Sequence, residues 1–165
     1  MKTLKIFLAI MAISVGVANA QFTKAELQVS GLTCSMCSRA TEKALRSLDF
    51  ISDIKPDLNR NIFVITFKKD APVNFDMLSK KVENAGFAVN TLKATFNFAN
   101  TQVSDNMFNY SGNHFHFVNA DNKQLNGPVA ITFVDKGLAS TAVAKKYMGH
   151  KPAMGDGKKV YCVVI

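Results

Sequence analysis

The sequence predicts an α+β fold, a ferredoxin-like βαββαβ sandwich followed by a small β-rich domain. Two observations carry this prediction. Between about Lys24 and Phe98, runs with the two-residue period of strands alternate with runs of helical period in the order β-α-β-β-α-β. From about residue 97 onward, strand-like runs and turn residues dominate.

The first strand and the first helix are predicted on either side of a short loop. The stretch KAELQVSGL alternates apolar and polar residues, as a half-buried strand does, and Gly31 ends it. From Ser35 to Leu48, apolar residues recur at helical spacing with charged residues between them. Cys34 is therefore expected in the loop, and Cys37 in the first helical turn.

The other elements of this unit follow from similar patterns. A second strand is expected around Ile54 to Leu58, and IFVITF, after the turn NRN, is rich in the β-branched and aromatic residues that favour a third. Asn74 can cap a second helix, and Gly86 stands where a C-terminal glycine belongs. FAVNTLKATFNF predicts the fourth strand.

The C-terminal region has the pattern of a second, β-rich unit. HFHFV, VAITFV and KKVYCVVI are expected to form strands, NADNKQLNG and GDGK turns, and Ala139 to Tyr147 a short helix. Residues 97–165 are thus expected to form a small barrel of the OB kind or half of a sandwich.

The first 20 residues predict a secretory signal peptide. Lys2 and Lys5 precede an apolar run from Ile6 to Val17, and ANA precedes the polar Gln21. The run is shorter than the ~20 apolar residues of a spanning helix. We expect an exported protein without stable membrane insertion after cleavage, periplasmic in a Gram-negative bacterium and secreted where no outer membrane exists.

The charge pattern argues against a nucleic-acid partner. The chain has a formal net charge of +8, but its lysine doublets are scattered and lack the aromatic and glycine interleaving of single-strand nucleic-acid platforms. Solvated lysine faces are expected, with weak attraction to an acidic partner or surface.

The chemistry of the chain centres on its cysteines. In an oxidising compartment, Cys34, Cys37 and Cys162 imply one pair and one remaining thiol, or three thiols protected by burial or metal. The first two form a C-x-x-C motif where a loop enters a helix, so both sulfurs can face one side near the partial positive charge of the helix N-terminus. When reduced, both should be available as thiolates near neutral pH.

The stretch from about Lys24 to Phe96 resembles the heavy-metal-associated domain, the family of copper chaperones, of the N-terminal modules of copper-transporting ATPases and of the periplasmic mercury-binding protein. The resemblance rests on GLTCSMC, on Leu45 and Leu48 in the next helix, and on NAGFAV. In two departures, Leu32 replaces a methionine of the family pattern, and LDFISDI replaces its glycine-valine. We interpret the first as a conservative packing change and the second as a local loop variation.

The sequence patterns and the resemblance together predict an organisation in three parts. These are a signal peptide (residues 1–20), a heavy-metal-associated domain (21–96) and a β-rich C-terminal domain of unknown role (97–165). We expect a chain ending near Phe98 to fold and to bind metal on its own.

The donor set favours a soft metal ion. A structural zinc site usually has four ligands, and a single C-x-x-C supplies two. Two thiolates suit an ion of low coordination number, and thiolates select Cu(I). Members of the family that handle zinc or cadmium often carry an acidic residue beside the cysteines, whereas the neighbours here are neutral. We predict Cu(I) at Cys34 and Cys37, with Ag(I), Hg(II) and Zn(II) as alternatives.

Two neighbours of the motif have candidate roles. Phe87 aligns with the aromatic residue that the family places near the metal loop, where it could act as an apolar lid or as a core residue that opens the fourth strand. Met36 lies between the cysteines. It is expected to pack or to face solvent in preference to serving as a third ligand.

Weaker candidates lie in the C-terminal region. His114 and His116 should project from one strand face, and a polar outer face over a phenylalanine core is expected in preference to a metal site. Three further donors, Met148, His150 and Met154, lie in the loop MGHKPAM, whose spacing matches no known motif. Cys162 is expected to be buried and inert, unless this region folds back over the Cys34 loop.

The sequence therefore predicts a metal-binding or metal-carrying protein and not an enzyme. No serine-histidine-acid set, paired carboxylates or phosphate loop argues for catalysis. The family resemblance implies a metal-donor or acceptor protein, such as a transport ATPase, as partner. Two alternatives stay open: a thiol-disulfide oxidoreductase that uses the same C-x-x-C, and an interaction module whose cysteines are stored as a disulfide.

Overall fold

A computed structural model of the chain describes residues 22–69, 71–103, 106–119, 124–150 and 159–165. The elements of the first half are β1 (Phe22–Ser30), α1 (Ser35–Arg46), β2 (Ile51–Asp57), β3 (Ile62–Phe67), α2 (Phe75–Asn84) and β4 (Ala88–Gln102). Their order is the predicted βαββαβ, so the ferredoxin-like α+β unit is confirmed. The predicted signal peptide lies outside the described residues.

The connection between α1 and β2 differs from the prediction. The helix ends at Arg46 instead of Leu48, because the backbone N–H of Leu48 donates to the carbonyl of Leu45 (3.0 Å) and closes a tight turn. β2 then begins at Ile51, three residues before the predicted start. Part of LDFISDI, interpreted as a loop variation, is therefore strand.

The described elements of the second half are β5 (Met107–Tyr110), β6 (Asn113–Phe117), β7 (Gln124–Phe133), α3 (Thr141–Tyr147) and β8 (Val160–Val164). The three predicted strands and the predicted helix are present, whereas β5 was not predicted. β7 starts at Gln124, within a stretch expected to be a turn. Among the described helices, none is long and apolar enough to cross a membrane.

The eight described strands form one sheet in the order β2-β3-β1-β4-β7-β8-β6-β5. The antiparallel ladder of β4 and β7 runs from Lys93–Thr132 to Gln102–Gln124, so β4 crosses the predicted boundary at residues 96 and 97. The C-terminal region is β-rich, as predicted, and its strands extend the first sheet. The described strands do not close into a separate barrel.

The helices and the sheet enclose one core that draws on both halves of the chain. The ring of Phe75 in α2 packs against Phe115, Phe133 and Tyr161, with centroid distances of 6.3, 4.5 and 5.6 Å. All four side chains are buried. Independent folding of the first unit stays a prediction, but a chain ending near Phe98 would lose these contacts.

The C-terminal region also holds α2 through polar contacts. The hydroxyl of Ser79 donates to the carbonyl of Gly137 (2.7 Å), and the hydroxyl of Tyr161 donates to Oδ2 of Asp76 (3.2 Å). Lys159 forms an ion pair with the other oxygen of Asp76. The position of α2 over the sheet thus depends on residues from both halves.

The N-terminus of α2 is capped as predicted. Oδ1 of Asn74 accepts a hydrogen bond from the backbone N–H of Met77 (3.2 Å), which satisfies one of the free amides of the first turn. Gly86 follows the helix with a φ of 87°, a conformation that favours glycine.

Several loops meet at the end of the sheet where β1 finishes. The backbone N–H of Val29 donates to the carbonyl of Asn61 (3.0 Å), which brings the β2–β3 turn to this end. Ser30 pairs with Ala88, the first residue of β4. The N–H of Ser140 donates to the carbonyl of Asn90 (2.8 Å), so the connection between β7 and α3 lies at the same end.

Candidate metal centre

The predicted cysteine motif lies in the loop that joins β1 to α1. Gly31 has a φ of 87°, which turns the chain away from the strand. Cys34 is the N-cap residue of α1, with extended backbone angles, and its Sγ accepts a hydrogen bond from the N–H of Cys37 (3.2 Å). Cys34 therefore lies in the loop and Cys37 in the first helical turn, as predicted.

This local fold brings the two cysteines together. Their Cα atoms are 5.3 Å apart, and their sulfurs are joined as a disulfide. Cys34 is exposed and Cys37 is half-buried. When this bond is reduced, the same backbone leaves two adjacent sulfurs at an accessible surface, where both can reach one ion.

Two hydrogen bonds fix the first turn of α1. The backbone N–H of Ser38 donates to the carbonyl of Cys34 (3.2 Å), and the hydroxyl of Thr41 donates to the carbonyl of Cys37 (3.1 Å). Ser38 and Thr41 are both buried. The backbone that carries the sulfurs is thus fixed by the helix and does not depend on a bound ion.

The electrostatic environment favours anionic sulfur. The residues of the first helical turn, Ser35 to Ser38, carry no formal charge. The helix N-terminus contributes the partial positive charge of its unsatisfied amides. A thiolate pair is therefore stabilised here without competition from a neighbouring carboxylate.

Apolar side chains lie beside the motif among polar ones. Met36 is 73% exposed, consistent with the expectation that it packs or faces solvent, and Leu58 in the β2–β3 turn is 56% exposed. Leu58 also lines a small cavity of about 180 Å³ beside Cys34, together with Leu32 and Asn61. Leu58 was not among the predicted site residues. The signal for it is the antiparallel pairing of β1 and β3, which places the β2–β3 turn at the end of the sheet where the metal loop begins.

Phe87 occupies the position that the family resemblance implies. A Cβ atom added at Gly31 would lie 3.5 Å from Cδ1 of Phe87, so the ring lies against the start of the metal loop. Phe87 is also half-buried against the hydrophobic core. The two predicted roles, lid and core residue, are therefore compatible.

The C-terminal candidates whose side chains the structure describes do not join this site. His114 and His116 alternate with the buried Phe115 and Phe117, as predicted, and face away from the core. Cys162 lies on β8, which is separated from β1 by β4 and β7 in the sheet, so no third thiolate reaches Cys34. Met148 is exposed, and the side chains of His150 and Met154 lie outside the described residues.

No group of three or more histidine, cysteine, aspartate or glutamate side chains within the described ranges could hold a metal ion.

Comparisons with known proteins agree with this site. Residues 26–88 match the heavy-metal-associated domain family. Over 81 residues, 49% of this chain, the sequence is 32% identical to the probable copper-transporting ATPase HMA5 of Arabidopsis thaliana, of which the match covers 8%. Over 61 residues it is 34% identical to the periplasmic component of the mercuric transport protein of Pseudomonas fluorescens, covering 37% of this chain and 66% of that protein.

Solved structures of small metal-binding proteins align with part of the chain. A CopZ metallochaperone matches at 24% identity with a TM-score of 0.38, covering 41% of this chain and 98% of that one. The crystal structure of oxidized MerP from Ralstonia metallidurans CH34 matches at 28% identity, also with a TM-score of 0.38, covering 42% of this chain and 97% of that one.

The family match includes both cysteines, the whole of α1 and the strands that position them. It ends at the first residue of β4 and leaves the C-terminal region unassigned. Residues 26–88 of this chain therefore form a heavy-metal-associated domain.

Proposed function

We propose that this chain is an exported, non-enzymatic protein that binds Cu(I) through Cys34 and Cys37 and passes it to a partner. The observation that carries the proposal is the cysteine pair at the N-terminus of α1, with Cα atoms 5.3 Å apart and with Cys34 exposed. Soft-metal binding and transfer agree with the family to which residues 26–88 belong.

Cu(I) is favoured over harder ions by the ligand chemistry. Two thiolates satisfy an ion of low coordination number, whereas Zn(II) would need two more ligands. The relatives include one protein named for copper and one named for mercury, which keeps Hg(II) as an alternative together with Ag(I).

Transfer would proceed by ligand exchange. A thiolate of the partner adds to the bound ion, one of the two cysteine sulfurs dissociates, and a second partner thiolate displaces the other. Copper stays Cu(I), so no electron donor is needed. The exposure of Cys34 admits the first incoming thiolate, and the apolar side chains of Met36 and Leu58 offer a contact surface for the partner.

The C-terminal region would contribute to partner docking. A cleft of about 750 Å³ between α2 and the β7–α3 connection reaches Ser30, next to the metal loop. Lys80 and Lys136 line it and are exposed. The same lining includes the carboxylates of Asp76 and Glu83, so the cleft carries no net formal charge. A metal-donor protein or a domain of a transport ATPase is proposed as the partner from the family of residues 26–88.

Export is proposed from the signal-peptide pattern of residues 1–20. The mercuric relative is itself named as a periplasmic component. In an oxidising compartment the cysteine pair must be reduced to two thiols, by two electrons and two protons from a thiol reductant, before it can bind metal.

The proposal is tested by anaerobic titration of the reduced protein with Cu(I), Zn(II) and Hg(II), each with a competing chelator. We expect one Cu(I) per chain to resist a chelator that removes Zn(II). The variant with Cys34→Ser and Cys37→Ser should lose this tight binding and keep its fold, whereas Cys162→Ala, a matched thiol deletion elsewhere, should keep it. Full affinity in the double variant would overturn the proposal.

A second candidate function, thiol-disulfide exchange, is favoured by the exposed disulfide at the start of a helix. Equilibration with a glutathione redox buffer, followed by a disulfide-exchange assay on a reduced protein substrate, separates the two functions. Catalysed exchange without tight Cu(I) binding would favour the oxidoreductase.

A further inference from the structure

The outer face of the sheet brings a histidine and a cysteine from distant parts of the chain side by side. β6 and β8 are parallel neighbours, and their register pairs His116 with Cys162. Neighbouring residues on adjacent strands project from the same face. The imidazole and the thiol are therefore adjacent, although 46 positions separate them in the sequence.

The contacts on the opposite face of the same ladder support this register. One position earlier, Phe115 pairs with Tyr161, and their rings stack on the core side with centroids 5.7 Å apart. One position later, Phe117 pairs with Val163, and both are fully buried. The alternation of a strand then requires His116 and Cys162 to share the outer face.

Burial distinguishes this pair from ordinary surface residues. Cys162 is only 3% exposed, and the Nδ1 atom of His116 is also buried, while the rest of the His116 side chain is partly exposed. The backbone N–H of Cys162 donates to Oδ2 of Asp135 (2.6 Å), which fixes this position of β8 from its β7 side. The pair is thus sheltered, and its position on β8 is fixed by the hydrogen bond to Asp135.

We propose that His116 and Cys162 form a second soft-metal site, distinct from the pair Cys34 and Cys37. On binding, the Cys162 thiol loses its proton to solvent, its sulfur bonds to the ion, and one ring nitrogen of His116 completes a two-coordinate site. Thiolate and imidazole both suit Cu(I), and the same pair would accept Ag(I) or Hg(II). The carboxylate of Asp135 is a hard ligand and is not needed.

The two sites are independent in the fold. β8 is the third strand from β1 in the sheet. Neither Cys34 nor Cys37 contributes to the second pair. The proposal therefore does not depend on the function assigned to the cysteine motif.

The test uses the full-length, reduced protein carrying Cys34→Ser and Cys37→Ser, with Ag(I) as a redox-inert probe. We expect this variant to bind one Ag(I), more weakly than the intact motif does. Adding Cys162→Ala should abolish binding. Loss of a residue that only hydrogen-bonds to a metal ligand lowers metal affinity by ~10- to 100-fold. Adding His116→Gln should lower the Ag(I) affinity by more than this, because His116 is itself a ligand. His114→Gln, on the same face but paired with Val160, should have no effect.

Circular dichroism and thermal unfolding of each variant show whether the fold is kept. If Cys162→Ala unfolds the chain, two other measurements still test the site. One is the comparison of His116→Gln with His114→Gln, and the other is the X-ray absorption spectrum of the Cu(I) form. One sulfur and one nitrogen around copper in the Cys34→Ser, Cys37→Ser background supports the site. Loss of all binding in that background, or equal effects of the two histidine changes, overturns it.

Discussion

The ring of Phe75 in α2 lies 4.5 Å, centroid to centroid, from the ring of Phe133 in β7. Phe75 belongs to the heavy-metal-associated domain, and Phe133 lies beyond it. Both side chains are fully buried. This contact shows that the domain that carries the metal loop shares its hydrophobic core with the unassigned C-terminal region.

The shared core predicts that Phe133→Ala destabilises the whole chain. Removing a buried phenylalanine costs about 3–5 kcal/mol, because contacts are lost and a cavity remains. A chain ending at Gln102 should be less stable still, since it loses β5 to β8 and exposes Phe75. Urea unfolding followed by circular dichroism measures both. A truncated chain as stable as the full one would show that the first unit folds alone, as the sequence led us to expect.

The redox state of the site gives a second prediction. Protein purified in air should carry a disulfide between Cys34 and Cys37, and it should bind no Cu(I) there until it is reduced. Mass spectrometry of the untreated protein should show a mass lower by two hydrogen atoms than that of the reduced chain. Three alkylatable thiols in aerobic material would contradict this expectation.

The sequence could predict what is encoded locally. The alternation in β1, the helical spacing of α1 and the capping side chain of Asn74 each depend on a few neighbouring residues. Each was found at the expected place, although α1 ends two residues early. The same holds for the position of Cys34 in the loop and of Cys37 in the first helical turn.

Long-range pairing could not be predicted in this way. Nothing local indicates that β4 continues past residue 98 to pair with β7, or that β6 and β8 pair in parallel. The proximity of Leu58 to Cys34, and of His116 to Cys162, follows only from those pairings. The sequence contains these residues, but it does not show which of them become neighbours in the fold.

Gly31 provides a test of the loop conformation. Its φ of 87° is strained for any residue with a Cβ, and an added Cβ would lie against Phe87. Gly31→Ala should cost about 1–2 kcal/mol of stability and should also weaken Cu(I) binding, because the loop that carries Cys34 shifts.

The matched control is Gly112→Ala. Gly112 has a similar φ of 77°, with nothing within 4 Å of an added Cβ, and it lies in the β5–β6 turn. The Gly112→Ala variant should lose about as much stability as Gly31→Ala, with no change in Cu(I) affinity. Equal effects of the two substitutions on affinity would indicate that Gly31 has no specific role at the site.

The contact between Tyr161 and Asp76 predicts a pH dependence of stability. Burial, and then the negative charge of Asp76, raise the pKa of Tyr161 above its ordinary value of 10.0. The folded state keeps the phenolic proton at pH values where the unfolded chain has lost it, so stability should fall as pH rises above about 10. Tyr161→Phe should make this fall shallower. Urea unfolding at about pH 8 and pH 11 measures the difference, and parallel profiles for the two proteins would contradict it.

The most direct test of the central claim is a copper X-ray absorption spectrum of the full-length, reduced protein with slightly less than one equivalent of Cu(I). If Cys34 and Cys37 hold the ion, copper should have two sulfur neighbours and no nitrogen shell. A nitrogen shell, or a third sulfur, would show that the first ion binds elsewhere or needs another ligand, and would contradict the account.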